Sequence, residues 1–297
     1  MLVRRWDSRL KRMMKKKPEE VKKMKKNIII LVAVVLLFAS QAYAVQLVMD
    51  GSTTVLPFGQ AGAEQFMKDN PDVKISVSGS GTGNGFKSLA TGSAQIANAS
   101  RFIKESEIKA CMDNKIYPVP FAVALDCLVP VVHPSNPVKN LTKAQLKDIY
   151  SGKVTNWKEV GGNDHPIVVI GRDTSSGTYG TWQDMIMDEG GKTRVTARAQ
   201  VTASSGAMLT SVAGNKNAIG YEGMGYITGS VKTVEVDGIA ASASGARSGK
   251  YPLSRYLYMF TNGWPADGIL KFINYMQSPV GQKIVAATGF VPLWEIK

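Results

Sequence analysis

Pro166-Ile167-Val168-Val169-Ile170-Gly171-Arg172-Asp173-Thr174-Ser175-Ser176-Gly177-Thr178 runs from an apolar stretch, through a glycine and an arginine, into a cluster of small hydroxyl residues. Pro166 to Gly171 reads as a buried strand, and Tyr179 to Glu189 carries apolar residues at helical spacing. A strand that ends at Arg172 and feeds a helix through Ser and Thr suits an anion. Helix N-termini offer unpaired N–H groups and a positive dipole end, hydroxyls add donors, and a guanidinium fork matches a tetrahedral oxyanion. The plainer alternative is a capped helix start with a surface arginine.

Two further stretches repeat these ingredients. Gln46 to Met49 reads as a strand; Asp50-Gly51-Ser52-Thr53-Thr54-Val55-Leu56-Pro57 follows it, and a helical pattern runs from Ala61 to Lys68. Val73 to Ser78 alternates as a strand does and leads to Gly79-Ser80-Gly81-Thr82-Gly83-Asn84-Gly85-Phe86-Lys87-Ser88. Alternate glycines let backbone amides approach a ligand, although a Gly-rich stretch is also the composition of a flexible loop. Neither nucleotide motif fits. Counted from Gly81, the second P-loop glycine falls on Phe86, and after Gly79 and Gly81 the third glycine of G-x-G-x-x-G falls on Asn84. Three such strand–loop–helix units are read as converging on one small oxyanion.

Taken together, Gly51 to Pro57, the Gly-rich loop, Ile96-Ala97-Asn98-Ala99-Ser100-Arg101, Gly171 to Thr178 and Ala218-Ile219-Gly220-Tyr221 resemble the phosphate-binding proteins of bacterial ABC importers. The resemblance covers roughly Gln46 to Trp294. It implies a two-lobed periplasmic-binding-protein fold that closes on inorganic phosphate and delivers it to membrane permease subunits, without catalysis, cofactor or metal. By position, it assigns phosphate binding to Thr53, Thr54, Val55 and Leu56 in the first loop and to Thr82 in the second. Ser100 and Arg101 follow in the Ile96–Arg101 motif, and Arg172, Ser176, Gly177 and Thr178 in the Gly171–Thr178 motif. One departure stands out. Well-known family members carry Asp after the serine of the Ile96–Arg101 motif, and that carboxylate accepts the ligand's proton; here Arg101 follows Ser100. A second cation strengthens the hold on a dianion but accepts no proton. Asp126 is the candidate acceptor, its alternative being a hinge or capping carboxylate.

Residues 1–44 read as a secretory signal. A basic segment precedes the 12-residue apolar run Ile28 to Ala39, and Ala42-Tyr43-Ala44 fits a cleavage site. The run is too short to span a membrane, which takes about 20 apolar residues. Met24 would be an ordinary start, making residues 1–23 an extension. The expected location is the periplasm. The whole chain carries a formal charge of +13, but residues 1–44 hold 12 Lys and Arg against 3 Asp and Glu, so the remainder has 24 basic and 20 acidic residues, a balance of +4. That excludes an argument for nucleic acid and is compatible with steering a small anion.

The remaining 253 residues alternate strands and helices, which argues for an α/β fold with mainly parallel sheets. Pro118 to Val132 and Tyr251 to Phe260 are read as two crossover strands joining two mixed sheets flanked by helices. Lobe 1 is then 45–124 plus 255–297, and lobe 2 is 125–254. Ala240 to Gly245 reads as an exposed loop and Pro265 to Ala287 as C-terminal helices. The protein is expected to be a monomer. Cys111 and Cys127 are expected to form a disulfide in an oxidising compartment, the alternative being two buried thiols. His133 and His165 lie beside prolines and lack hydrolase spacing. Two other functions stay open: a binding protein for sulfate or molybdate, and a secreted phosphatase.

Overall fold

The computed structural model describes residues 45–187 and 192–295, together with Lys26; the expected signal segment, Lys26 aside, lies outside the described residues. Strand β1 (Val45–Gly51) leads into helix α1 (Leu56–Asp69), which Pro57 starts in its first turn. Phe58, Gly59, Gly62, Ala63 and Phe66 recur at spacings of three and four, so they form one stripe of α1 and are buried together. There follow β2 (Val73–Val77), α2 (Thr82–Ala90), β3 (Ile96–Ala99) and α3 (Glu105–Asp113). β1 lies between β2 and β3 and is parallel to both, so the loops leaving these strands open on one sheet edge.

Strand β4 (Pro118–Val132) runs for 15 residues and is buried almost throughout from Phe121 onward. The second half of the chain supplies β5 (Asn140–Leu141), α4 (Lys143–Ser151), β6 (Val168–Arg172), α5 (Gly177–Trp182), β7 (Gln200–Thr202), α6 (Ser205–Ala213) and β8 (Ala218–Gly223). Then come β9 (Lys232–Thr233), β10 (Glu235–Val236), α7 (Ala243–Ser248), β11 (Ser254–Asn262), α8 (Asp267–Gln277) and α9 (Pro279–Ala287). The main sheet is mixed and curled, in the order β2-β1-β3-β11-β4-β8-β6-β7, with β9 also on β4; β10 and β5 form a small separate pair.

The two expected sheets are therefore one. β4 pairs with β11 from Pro118 to Cys127 and with β8 from Leu128 to Val132, so a single strand carries the hydrogen-bond ladder from one half to the other. Its near-continuous apolar run is what a strand covered on both faces requires. Two cores flank it. One gathers Leu47, Met49, Phe58, Phe66, Leu257, Met259, Phe272 and Phe290. The other gathers Leu128, Tyr150, Trp157, Trp182, Tyr221, Tyr251 and Leu253. Trp182 stacks on Tyr221 at 4.3 Å between ring centroids, with Tyr150 against both.

Three local expectations need correction. The disulfide is not formed: Cys111 and Cys127 are both buried free thiols. Cys111 sits on α3, where its carbonyl accepts from the Ile116 N–H just before β4 begins, whereas Cys127 lies nine residues along that strand, a span of about 30 Å at the rise of an extended chain. The thiol of Cys127 instead points at the Ser242 carbonyl in the second half. The small-residue stretch from Ala240 to Gly245 is not wholly loop, because Ser242 accepts from the Gly245 N–H and caps α7. The helix expected from Tyr179 to Glu189 begins two residues earlier and passes into a π-helical turn over Gln183–Met187; Glu189 lies outside the described residues.

Candidate functional site

The first loop is built against β3. The Ser52 N–H donates to the Asn98 carbonyl at 2.8 Å, and Gly51 at φ +132° lies so close to that carbonyl that no side chain fits. The Ser52 hydroxyl then accepts from the Thr54 N–H at 3.2 Å, and Ser52, Thr53, Thr54 and Val55 are all buried. Thr82, the first residue of α2, is fully buried; its hydroxyl accepts from the Ser100 N–H at 3.2 Å and lies 3.4 Å from the Ser100 hydroxyl.

The loop after β6 meets these two loops from the other half of the sheet. The hydroxyls of Thr54 and Thr178 share a hydrogen bond of 2.9 Å. Gly177 lies against the Thr82 and Ser100 hydroxyls, where a Cβ would overlap both. The Gly83 N–H donates to the Ser175 carbonyl at 2.8 Å, and Tyr226 donates to the Thr53 carbonyl at 2.6 Å.

Two buried guanidinium groups border this hydroxyl cluster. Arg172 donates through Nη2 to the Thr53 hydroxyl at 3.1 Å, through Nη1 to the Ser205 hydroxyl and to Glu222 Oε2, both at 3.3 Å, and through Nε to the Thr202 carbonyl. Arg255 donates through Nη1 to both the Thr178 hydroxyl and the Ser100 carbonyl at 3.2 Å, and through Nε and Nη2 to Asp126 Oδ2 at 2.9 and 2.8 Å. The formal charges of Arg172, Glu222, Arg255 and Asp126 cancel. Burial pushes the carboxyls of Glu222 and Asp126 above their ordinary range, opposed by Arg172 and Arg255 respectively. Hydroxyls, backbone amides and two fixed guanidinium groups thus converge in one buried place, the donor set that an oxyanion requires.

A family model described as a PBP superfamily domain matches residues 39–280. The phosphate-binding protein PstS of Bacillus subtilis is 35% identical over 257 residues, 84% of this chain and 82% of that protein. This chain belongs to the phosphate-binding-protein family of the PBP superfamily. A crystal structure from Clostridium perfringens, described as a phosphate ABC transporter substrate-binding protein with bound phosphate, superposes with a TM-score of 0.77 at 36% identity, covering 84% of this chain and all of that one. An ABC-type phosphate transport receptor from Vibrio cholerae gives a TM-score of 0.68 at 32% identity, covering 82% of this chain and 99% of that one.

Among the residues expected to serve a phosphate-binding protein, Thr53, Thr54, Thr82, Ser100, Arg172, Gly177 and Thr178 meet in the one buried cluster. Ser176 caps α5 by accepting from the Tyr179 N–H. The Val55 side chain belongs to the first core, and Leu56 opens α1 half-buried. Arg101 stands apart, because its guanidinium forks onto Glu107 at 2.8 and 2.6 Å. Asp126 reaches the cluster through Arg255.

Arg255, Glu222, Ser205 and Tyr226 were not foreseen. Arg255 had a signal: it keeps the two-residue period of buried Leu257, Met259 and Thr261, so it lies on the inward side of β11. Glu222 directly follows the Ala218–Tyr221 motif on a strand buried at every position.

Proposed function

We propose that this protein binds inorganic phosphate between its two lobes and delivers it to an ABC-type membrane permease, working outside the cytoplasm after removal of residues 1–44. Membership of the phosphate-binding-protein family supports the ligand and the transport context. The observation that carries the site is the bridge itself. Thr54 from the first half and Thr178 from the second share a hydrogen bond, and Arg255 touches Thr178 and Ser100 together. We take the lobes to be 45–124 plus 255–297 and 125–254, a division supported by the two cores: Ala124 and Leu257 lie in the first, Leu125 and Leu253 in the second.

Each residue then has a role. The hydroxyls of Thr54, Thr82, Ser100 and Thr178 donate to phosphate oxygens. Arg172 is the chief countercharge, held in place by Glu222, Thr202 and Ser205. Asp126 acts by fixing Arg255, since both its hydrogen bonds from that guanidinium and the one from the Met224 N–H occupy its oxygens. Closing the lobes around a bridging ligand makes contacts that the open form lacks, which couples occupancy to shape and lets a permease tell loaded from empty protein.

Titration calorimetry with phosphate, sulfate and molybdate, alongside incubation with a phosphomonoester, tests the reading. Binding of phosphate with stoichiometry one and no hydrolysis is expected. Preference for sulfate or molybdate, or release of phosphate from the ester, would replace it.

A further inference from the structure

Arg101 has no place in the phosphate-binding cluster, yet it is 93% buried by its 7% exposure and clamped from several sides. Nη1 donates to the Phe102 carbonyl at 2.9 Å and to Glu107 Oε2 at 2.8 Å; Nη2 donates to Glu107 Oε1 at 2.6 Å; the Phe86 ring lies 5.8 Å below the guanidinium carbon. Glu107 is itself fixed, since Oε2 also accepts from the Lys104 N–H at 2.9 Å at the start of α3. A two-point fork of this kind holds a guanidinium in one plane.

What lies on the stem of Arg101 is α5, from the other half of the molecule. A Cβ placed on Gly180 would stand 2.7 Å from Arg101 Cδ and 3.0 Å from its Nε. Gly177, three residues earlier, is pressed against the Thr82 and Ser100 hydroxyls in the same way, and Thr181 donates to the Ser100 carbonyl at 3.2 Å. Residues 177, 180 and 181 share one face of a helix, so that face of α5 seats on a platform made by Thr82, Ser100 and Arg101. Gly180 has an ordinary helical backbone, and its missing side chain is explained by Arg101 alone among its near neighbours.

We propose that Arg101 is a positioning residue for lobe closure: braced by Glu107, it presents its aliphatic stem as the seat for Gly180 of α5, and so sets phosphate affinity without touching phosphate. The inference rests on the phosphate-binding reading above. It explains why a cation stands after Ser100 while the ligand cluster already holds Arg172 and Arg255, and why α5 has a glycine where a better helix former would otherwise serve.

The test compares the wild type with Gly180→Ala, Arg101→Ala and the double variant, reading phosphate association and dissociation by the fluorescence of Trp182, and α5 amide hydrogen exchange without phosphate. Gly180→Ala should weaken phosphate binding at least tenfold through faster dissociation, with association changed less than twofold and the unliganded melting temperature not lowered. Its α5 amides should exchange faster than in the wild type. Arg101→Ala in the same chain should restore at least fivefold of the affinity and slow that exchange again, because the obstructing stem has gone. Wild-type affinity in Gly180→Ala, or a double variant no tighter than Gly180→Ala, would overturn the proposal. A wild type that ignores phosphate would overturn the binding reading, and the exchange data would still decide whether Arg101 seats α5.

Discussion

Replacing Arg255 by methionine keeps most of the side-chain volume and removes the countercharge of a carboxylate with no exposed surface. Asp126 would lose hydrogen bonds of 2.9 and 2.8 Å and keep its backbone partners, among them the Met224 N–H at 3.0 Å. Breaking a buried ion pair from one side costs about 3–5 kcal/mol, a large share of the roughly 5–15 kcal/mol that holds a domain together. The sign of the pH dependence follows from burial, which already pushes the Asp126 carboxyl upward. Without Arg255 it rises further above its unfolded value of about 3.9, so over that interval the folded state binds the extra proton. Stability must therefore fall as pH rises, by up to about 1.4 kcal/mol per pH unit, and level off above the folded value. Denaturant unfolding of Arg255→Met from pH 4 to pH 8 should show that decline. Adding Asp126→Asn, whose amide oxygen still accepts from Met224, should remove the decline and recover most of the loss. A deficit under about 1 kcal/mol at pH 7, or one independent of pH, would refute the reasoning that Arg255 neutralises a buried charge.

Three more outcomes are expected. Arg172→Ala should weaken phosphate binding about 30- to 150-fold, because hydrogen bonds to a charged partner of this kind are worth about 2–3 kcal/mol; calorimetry showing an unchanged Kd would remove Arg172 from the site. Native protein should resist iodoacetamide, with two thiols appearing on denaturation without reductant, because burial pushes Cys127 up to about 12 and raises Cys111 as well; ready native labelling would contradict it. Burial pushes the Asp50 carboxyl up, but hydrogen bonds from Ser78, Ser80, Ser88 and the Gly51 N–H outweigh it and hold the group below the usual range. The stability advantage of the wild type over Asp50→Asn should thus be full above about pH 4, where the unfolded group is ionised, and shrink as pH falls through the folded value; an advantage no larger at pH 7 than in acid would count against those bonds.

Local chemistry made much of this legible. Gly51, Thr54, Thr82, Arg172 and Thr178 lie in short stretches where strand, loop and helix succeed one another, and parallel pairing of β1 with β2 and β3 brings two of the loops to one edge. What escaped is pairing between distant positions. Arg255 and Asp126 are 129 residues apart and Glu222 and Arg172 are 50 apart, and only the sheet order brings each carboxylate to its arginine. Arg101 directly follows Ser100, yet its guanidinium is forked onto Glu107 in the first turn of α3, a pairing that adjacency to Ser100 does not reveal. The cysteines misled for a similar reason: compartment and count say nothing of the length of β4 that separates them.

The most direct test of the whole account is a crystal structure of this protein with bound phosphate. One phosphate is expected between the halves, with its oxygens accepting from Arg172 and from the hydroxyls of Thr54 and Thr178 at hydrogen-bond distance, and with Arg101 still forked onto Glu107. A phosphate held by residues of one half only, or bound away from Thr54 and Thr178, would contradict it.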